Sequence, residues 1–575
     1  MGTIQVKEVN CKNCYKCLRS CPVKAISFKN DHAQVIEDGC VFCGKCLQVC
    51  PQNAKSVRND VDKVKGFIEK KLKVYASVAP SFAPAFSIKD ESHIQDIFKK
   101  LGFTYVEETA VGAARVSSEY EKLLYKKEMK NVISSACPTI VALIEKHFPE
   151  LIDQVAPVVS PMVAHGRMLK EMYGSRIKVV FIGPCLSKKE EGRDLENEDA
   201  IDAVITFEEL EKWIKEEGIS FSKEDEEQGK DYAYHNLNSR FYPAPGGIIK
   251  SLGNIKKYNY KFVKFDGTER CIDILEQIKN GNIKDYFIEM NSCLGGCLGG
   301  PCMNSEGKNF LEQRDKLLSY IGKSSLGTET VMDYDARINL EKKIRDKSKP
   351  NNVPDEKDIR EILAKIGKFS KEDELNCGAC GYNNCREKAI AVCNKKAELH
   401  MCVPYMREMA ESISNVILSS TPNAIFALTE DLKIQEANLA ARKMFNLDSG
   451  DLLNKNMFEI LDCPDIFTVS ETKEDIINSK HYYESCNLTV EQSIIYIKEN
   501  HMIILVIKDI TDEEKKQQQM YKVRCETVDI AQKVIDKQMR VAQEIASLLG
   551  ETTAETKIAL TKLKNSIQSE MGEGK

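Results

Sequence analysis

Two runs of four cysteines open this chain, Cys11, Cys14, Cys17 and Cys21-Pro22, then Cys40, Cys43, Cys46 and Cys50-Pro51, and both follow one spacing. A stretch this short buries only a small apolar core. What it can bury instead is metal. Three cysteines at three-residue steps, with a fourth just before a proline, is the ligand spacing of a cubane iron–sulfur cluster, and in the two-cluster form the fourth cysteine serves the other cluster. The spacing therefore assigns Cys11, Cys14, Cys17 and Cys50 to one 4Fe-4S cluster, and Cys40, Cys43, Cys46 and Cys21 to a second. A pair of zinc knuckles is the competing reading, although structural zinc needs no repeat of this kind.

The chain has 575 residues, too many for one core, and at roughly 150 residues per domain it should hold about four units. A formal charge of -5 and a hydrophobic fraction of 42% describe an ordinary globular protein. They suggest neither a nucleic-acid partner nor a membrane partner. The opening Met1-Gly2-Thr3-Ile4-Gln5-Val6-Lys7 carries no apolar signal region, and no stretch approaches the roughly 18 apolar residues of a membrane span. The expected location is cytoplasmic. Most of the 22 cysteines fall at C-x-x-C spacings, which in a reducing compartment means metal rather than disulfides.

The expected fold class is multidomain, α/β and α+β. Residues 1–58 read as a two-cluster 4Fe-4S ferredoxin domain, followed by a charged helical connector over about 59–72. From 74 to about 345 strands alternate with amphipathic helices: Val74 to Pro80 and Ile177 to Pro184 are apolar runs that end in loops. In parallel sheets such loops carry function. Lys349-Pro350-Asn351-Asn352-Val353-Pro354 has linker composition, and a four-cysteine module over 355–406 follows it, with Cys377, Cys380, Cys385 and Cys402. It is similar to the small 4Fe-4S modules of redox proteins, with zinc as the alternative. Residues 410–512 resemble a PAS sensory domain in strand and helix order, with a generic α+β interaction domain as the alternative; the PAS ligand is not legible. The tail, 513–575, reads as two short amphipathic helices, with apolar residues at Val534, Met539, Val541, Ile545, Leu548 and Leu549, a stop at Gly550, and a capping-box start at Thr552-Thr553-Ala554-Glu555. Their apolar faces call for a cover: the PAS domain, a second copy of the chain, or another protein.

Three further segments supply four more thiols: Ser134-Ser135-Ala136-Cys137-Pro138, Gly183-Pro184-Cys185-Leu186-Ser187-Lys188-Lys189, and Glu289-Met290-Asn291-Ser292-Cys293-Leu294-Gly295-Gly296-Cys297. Together they resemble the signature of the iron-only (diiron) hydrogenases. That resemblance implies that Cys137, Cys185, Cys293 and Cys297 hold a hydrogenase-type 4Fe-4S cluster, that Cys297 also joins it to a two-iron unit, and that Lys188 donates hydrogen bonds to a cyanide of that unit. With the ferredoxin pair and the four-cysteine module, the implied inventory is three 4Fe-4S clusters plus this one with its diiron unit. Splitting hydrogen is beyond any side chain, so a cofactor must carry it.

The departures from the family pattern are as informative as the match. High-turnover members carry a cysteine where this chain has Ala136, and methionines where it has Gly183 and Asn291. Their proton path also uses glutamates upstream; here Glu119 is the candidate, with a solvated helix residue as the competing reading, and the neighbouring position is Val116. A thiol with a pKa near 8.5 passes protons at neutral pH, and a methyl cannot. The expected function is therefore a slow, reversible hydrogenase acting as a hydrogen sensor. Its partners would be hydrogen, protons, a soluble ferredoxin or similar redox protein, and a kinase or phosphatase at the tail, with a homodimer as one possible assembly. Two alternatives stand: a metabolic ferredoxin-linked hydrogenase, and a redox-sensing iron–sulfur protein without the diiron unit. Cys271, Cys302, Cys393, Cys463, Cys486 and Cys525 have no partners at ligand spacing and read as structural.

Overall fold

The cysteine duplication is repeated in the backbone. Asn13 and Phe42, Tyr15 and Gly44, and Lys24 and Asn53 are equivalent positions of the two runs, and all have positive φ (53° and 55°, 56° and 76°, 50° and 48°). Each run winds into a one-turn helix, Lys16–Arg19 or Lys45–Gln48. Two small antiparallel sheets brace them: Ile4–Val6 with Lys55–Val57, and Ile26–Lys29 with His32–Val35. The computed structural model describes residues 3–30, 32–86, 91–197, 199–219, 237–303, 310–323, 338–349, 353–447, 452–549 and 554–569. They form two units, Met1–Met406 and Arg407–Lys575.

The middle of the first unit holds two parallel sheets. In one, the strand Val74–Val78 lies between Tyr105–Glu108 and Lys178–Gly183, with Ala203–Thr206 at the edge beside Lys178–Gly183. In the other, Tyr286–Asn291 lies between Lys261–Asp266 and Val132–Ile133. All five residues of Val74–Val78 are buried, as expected where helices cover both faces of a parallel sheet. Each such apolar side chain contributes ~1.5–3 kcal/mol by leaving water. The covering helices include Ala110–Lys126, Pro161–Tyr173, Phe207–Glu216 and Thr268–Lys279. Phe207–Glu216 starts at a capping box, Thr206 with Glu209, and turns Phe207, Leu210, Trp213 and Ile214 inward at helical spacing.

The four-cysteine module packs Glu356–Lys365 on Cys385–Cys393 through Ile359, Leu363 and Ala389. It also docks on the first segment of the chain. Arg19 donates to the Ala379 carbonyl (3.1 Å), the Phe28 amide donates to the Lys396 carbonyl (3.3 Å), and Tyr382 and Met401 share a buried cluster with Leu18 and Phe28. Gly381 sits in this contact with φ of 96°, and a Cβ there would stand 2.8 Å from Leu18 Cγ. Gly381→Val should cost ~1–3 kcal/mol by overpacking, besides the strain of its backbone angle. We expect a lower melting midpoint and faster proteolysis of residues 355–402; no change in either would contradict this docking. The linker residues 350–352 lie outside the described residues.

The second unit is a five-stranded antiparallel sheet in the order Ile434–Ala437, Ala424–Thr429, Met502–Asp509, Leu488–Ile497, Ile476–Tyr483. The helices Leu439–Met444 and Pro464–Thr472 help to close its core, which includes Phe426, Phe445, Ile466, Val469, Ile494 and Leu505. In the sequence the runs Ala424 to Leu428, Ile494 to Glu499 and Met502 to Asp509 read as strands, and the structure starts the second of them earlier, at Leu488. Ile476–Tyr483 is additional. The helix Val403–Ser420 runs continuously across the expected break between 406 and 410. The tail differs in kind, because Thr511–Leu549 is one helix of 39 residues, followed by Ala554–Ser569. Its polar surface hides the length, since no glycine or proline interrupts it before Gly550. Gly550, Thr552 and Thr553, the expected stop and restart, lie outside the described residues. Among the described residues, no helix is long and apolar enough to cross a membrane.

Candidate metal centre

The three cysteine segments arrive at one place because each leaves the carboxyl end of a parallel strand. Ala136 and Cys137 follow Val132–Ile133, Cys185 follows Lys178–Gly183, and Cys293 follows Tyr286–Asn291. Cys297 lies in the turn Gly296–Gly299, anchored by its amide donating to the Pro243 carbonyl (2.7 Å). All four cysteines line a single cavity of about 100 Å³, together with Lys188, Ala136 and Asn291. At ~10–15 Å³ per water the space is far larger than a single ion requires. Burial pushes the Cys185 thiol up to about 11 and Cys297 up to about 12, and Cys293 well above its ordinary value; neighbouring thiols add to each shift. Holding a cluster converts such thiols to thiolates, so loading releases protons.

The cavity wall is polar at few points. Lys188 is buried and donates to Glu191 Oε2 (2.8 Å), a carboxylate that also accepts from Ser160 (2.9 Å). Burial works to raise the Glu191 carboxyl; Lys188 and Lys342, with the Ser160 hydrogen bond, outweigh it and hold it below the usual range. Asn291 donates to Glu289 Oε1 (3.3 Å), which also accepts from the Gly246 amide (2.7 Å). Ser81 Oγ is fully buried at the cavity wall and has no hydrogen-bond partner among the described residues. A buried hydroxyl left unpaired is costly, and here it faces space that a polar ligand would fill. Sequence reasoning missed Ser81, although its place just beyond the strand Val74–Val78 was the available signal.

Gly183 is placed differently from its neighbours in the signature. A Cβ there would stand 2.8 Å from the Phe181 ring and 3.3 Å from Ala79 Cβ, so Phe181, two residues earlier on the same strand face, fills that side and lines the cavity. Glu119 is not at the cavity; it pairs with Lys122 (2.7 Å) on the outer face of Ala110–Lys126. Val116 is fully buried in the apolar core.

The remaining cysteines group as follows. Cys21 stands with Cys40, Cys43 and Cys46, and these thiols raise one another after burial has raised each. Cys43 is also near enough to Cys293 to raise it. A Cβ on Gly44 would stand 2.6 Å from Pro301, and Lys146, on the helix that Cys137 starts, donates to the Cys40 carbonyl (2.7 Å). The second cysteine run therefore abuts the central cavity. Cys377, Cys380, Cys385 and Cys402 line a separate cavity of about 20 Å³. Tyr382 stands close to both Cys380 and Cys21. Among the described residues, no three His, Cys, Asp or Glu side chains converge on a single metal ion; a cubane asks each cysteine to bind a different iron.

Comparison with known families decides what the cavity belongs to. Residues 72–301 match the model described as the iron only hydrogenase large subunit, C-terminal domain. The chain carries an iron-only hydrogenase domain. Residues 10–54 match a 4Fe-4S dicluster domain, 373–404 an Fe-S cluster family, and 414–481 the PAS fold, so the hydrogenase domain sits among iron–sulfur modules in a PAS-containing chain. Iron hydrogenase 1 of Clostridium pasteurianum is 26% identical over 274 residues, 40% of this chain and 48% of that protein. The match thus spans about half of that relative. The periplasmic Fe hydrogenase large subunit of Nitratidesulfovibrio vulgaris is 29% identical over 359 residues, 52% of this chain and 85% of that protein. The cytosolic Fe-S cluster assembly factor NAR1 of Candida dubliniensis is 29% identical over 158 residues, 24% of this chain and 27% of that protein. The hydrogenase domain is therefore similar both to hydrogenases and to an assembly factor.

Proposed function

We propose that the chain is a hydrogen-sensing regulatory hydrogenase, whose slow reversible reaction sets a redox state that the PAS domain and the helical tail pass to a signalling partner. The observation that supports this reading is the cavity, lined by four cysteines and Lys188, with Ala136 at the position where a proton-passing thiol would stand. Cys137, Cys185, Cys293 and Cys297 would hold the 4Fe-4S cluster, with Cys297 also joining it to the diiron unit. When bound, that unit supplies the soft metal at which hydrogen is split. The unpaired Ser81 hydroxyl and the Lys188 ammonium, with donors beyond the one Glu191 takes, suit its small polar ligands. The apolar wall of Ala79, Phe181, Met162 and Ile248 excludes water.

The cysteines of the first segment would hold two clusters, grouped as the spacing assigned them, and the four-cysteine module a third. Electrons would reach the cavity through the run beside Cys293 and exchange with a soluble ferredoxin or similar protein. A sensor needs equilibrium rather than flux, so a missing relay thiol is tolerable. The likeness to an assembly factor favours a second reading, an iron–sulfur protein without hydrogen chemistry.

Hydrogen–deuterium exchange of the cluster-loaded full chain tests the relay. Under hydrogen, amides of residues 407–549 should change protection relative to argon, and Cys297→Ala should abolish the difference. Identical exchange under both gases would sink the sensing proposal.

A further inference from the structure

A file of buried polar side chains that contains none of the cysteines also leaves the cavity. Thr109 lines the cavity, and its Oγ1 lies 2.8 Å from Ser77 Oγ. Ser77 Oγ lies 2.8 Å from His165 Nδ1, and His165 Nε2 lies 2.9 Å from Glu107 Oε2. Ser77 and His165 are fully buried, whereas the Glu107 side chain is 13% exposed. The file thus runs from the cavity wall to solvent with no gap beyond hydrogen-bond distance. We propose that Thr109, Ser77, His165 and Glu107 form the proton path of the central cavity, in place of the thiol route that Ala136 and Val116 close. This inference rests on the hydrogenase reading above.

Three elements build the file. Ser77 and Glu107 are paired residues of adjacent parallel strands and share one face of the sheet. His165 comes from the helix Pro161–Tyr173 laid across that face. Helix Ala110–Lys126 crosses it closely at Gly112, where a Cβ would stand 2.5 Å from the Pro161 carbonyl and 2.7 Å from the His165 amide, so only glycine allows the approach. Four polar side chains in such a core are a liability unless every bond is made, and an apolar set of equal volume would usually be at least as stable. Stability therefore does not explain them. Continuity does.

The chemistry needs only O–H and N–H bonds. A proton taken up at Thr109 displaces one from its hydroxyl to Ser77, which passes one to Nδ1 of the imidazole; Nε2 then releases its proton to Glu107, and Glu107 gives one to water. One proton enters and one leaves, and return hops with hydroxyl rotation restore the donors. Electrons leave separately, by way of the clusters. Other polar files start at the cavity: Lys188 to Glu191 and on toward Lys342 (3.5 Å) has a carboxylate that stays ionised between cations, Tyr242 to Ser117 and Ser251 ends at a buried hydroxyl donating to the Ile248 carbonyl, and Asn291 ends at the buried Glu289.

The test uses cluster-loaded full-length protein and infrared bands of the carbonyl and cyanide region after a pH jump under hydrogen. His165→Gln, which keeps a polar side chain but cannot shuttle, and Glu107→Gln should leave the resting bands and the melting midpoint near those of the parent. Both should slow the proton-linked relaxation of the bands at least tenfold, a threshold set below the ~10²–10⁴ typical of a positioned acid or base. Relaxation at the parental rate in His165→Gln overturns the path. Loss of resting bands in that variant, with normal relaxation in Glu107→Gln, overturns it equally, since His165 would then be structural. Absence of bands in the parent removes the hydrogenase reading and the path together.

Discussion

Cys297→Ala should leave the loaded protein without carbonyl and cyanide infrared bands and without measurable hydrogen turnover, while the visible absorption of the ferredoxin-type clusters persists. The reason is local. Cys297 stands on a four-residue turn whose amide is fixed to Pro243, in a cavity where the other three thiols come from strands that the turn does not support. Removing the Cys297 sulfur takes away the proposed bridge and leaves the fold of the sheets untouched. The ferredoxin-type run approaches this site at Gly44, against Pro301, and at Cys43, beside Cys293, rather than through Cys297, so its own cluster should survive. Iron content should fall by the central cofactor alone. Bands that persist in Cys297→Ala would contradict the assignment.

Ala136→Cys should raise hydrogen oxidation, measured with an artificial acceptor, by about tenfold, short of the ~10²–10⁴ that a complete acid–base relay gives. Ala136 lines the cavity and is only partly buried, so a thiol fits there and can exchange protons at neutral pH. The gain stops early because Val116 is fully buried in the apolar core and passes nothing on. Adding Val116→Glu would bury an unpaired carboxyl, which costs several kcal/mol, so that double variant should lose stability before it gains rate. The gain should persist in a His165→Gln background, since Ala136 is not part of the file from Thr109 to Glu107. An unchanged or lower rate in Ala136→Cys would show that Ala136 does not limit turnover.

What could be read from the sequence follows from how local each signal was. The cysteine runs are local, and their repeat is visible even in matched positive-φ residues such as Asn13 and Phe42. The α/β and α+β classes were legible because Val74–Val78 and Lys178–Gly183 are apolar throughout. Ile476–Tyr483 was not, because it is half exposed and alternates with polar residues on an open face. The docking of the four-cysteine module against Leu18 and Phe28 depends on a glycine and two hydrogen bonds that span more than 350 residues. No periodicity reports such a contact. Phe181 and Ser81 escaped notice because one looks like any strand residue and the other like any loop serine. His165 was invisible for the same reason: its partners come from two strands far from it in sequence.

If the cavity holds a hydrogen-responsive diiron cofactor, infrared spectra of the loaded full chain should show sharp bands in the carbonyl and cyanide region under argon. Those bands should shift or change in proportion under hydrogen and return when hydrogen is removed. A loaded protein without such bands, or with bands indifferent to hydrogen, would contradict that reading.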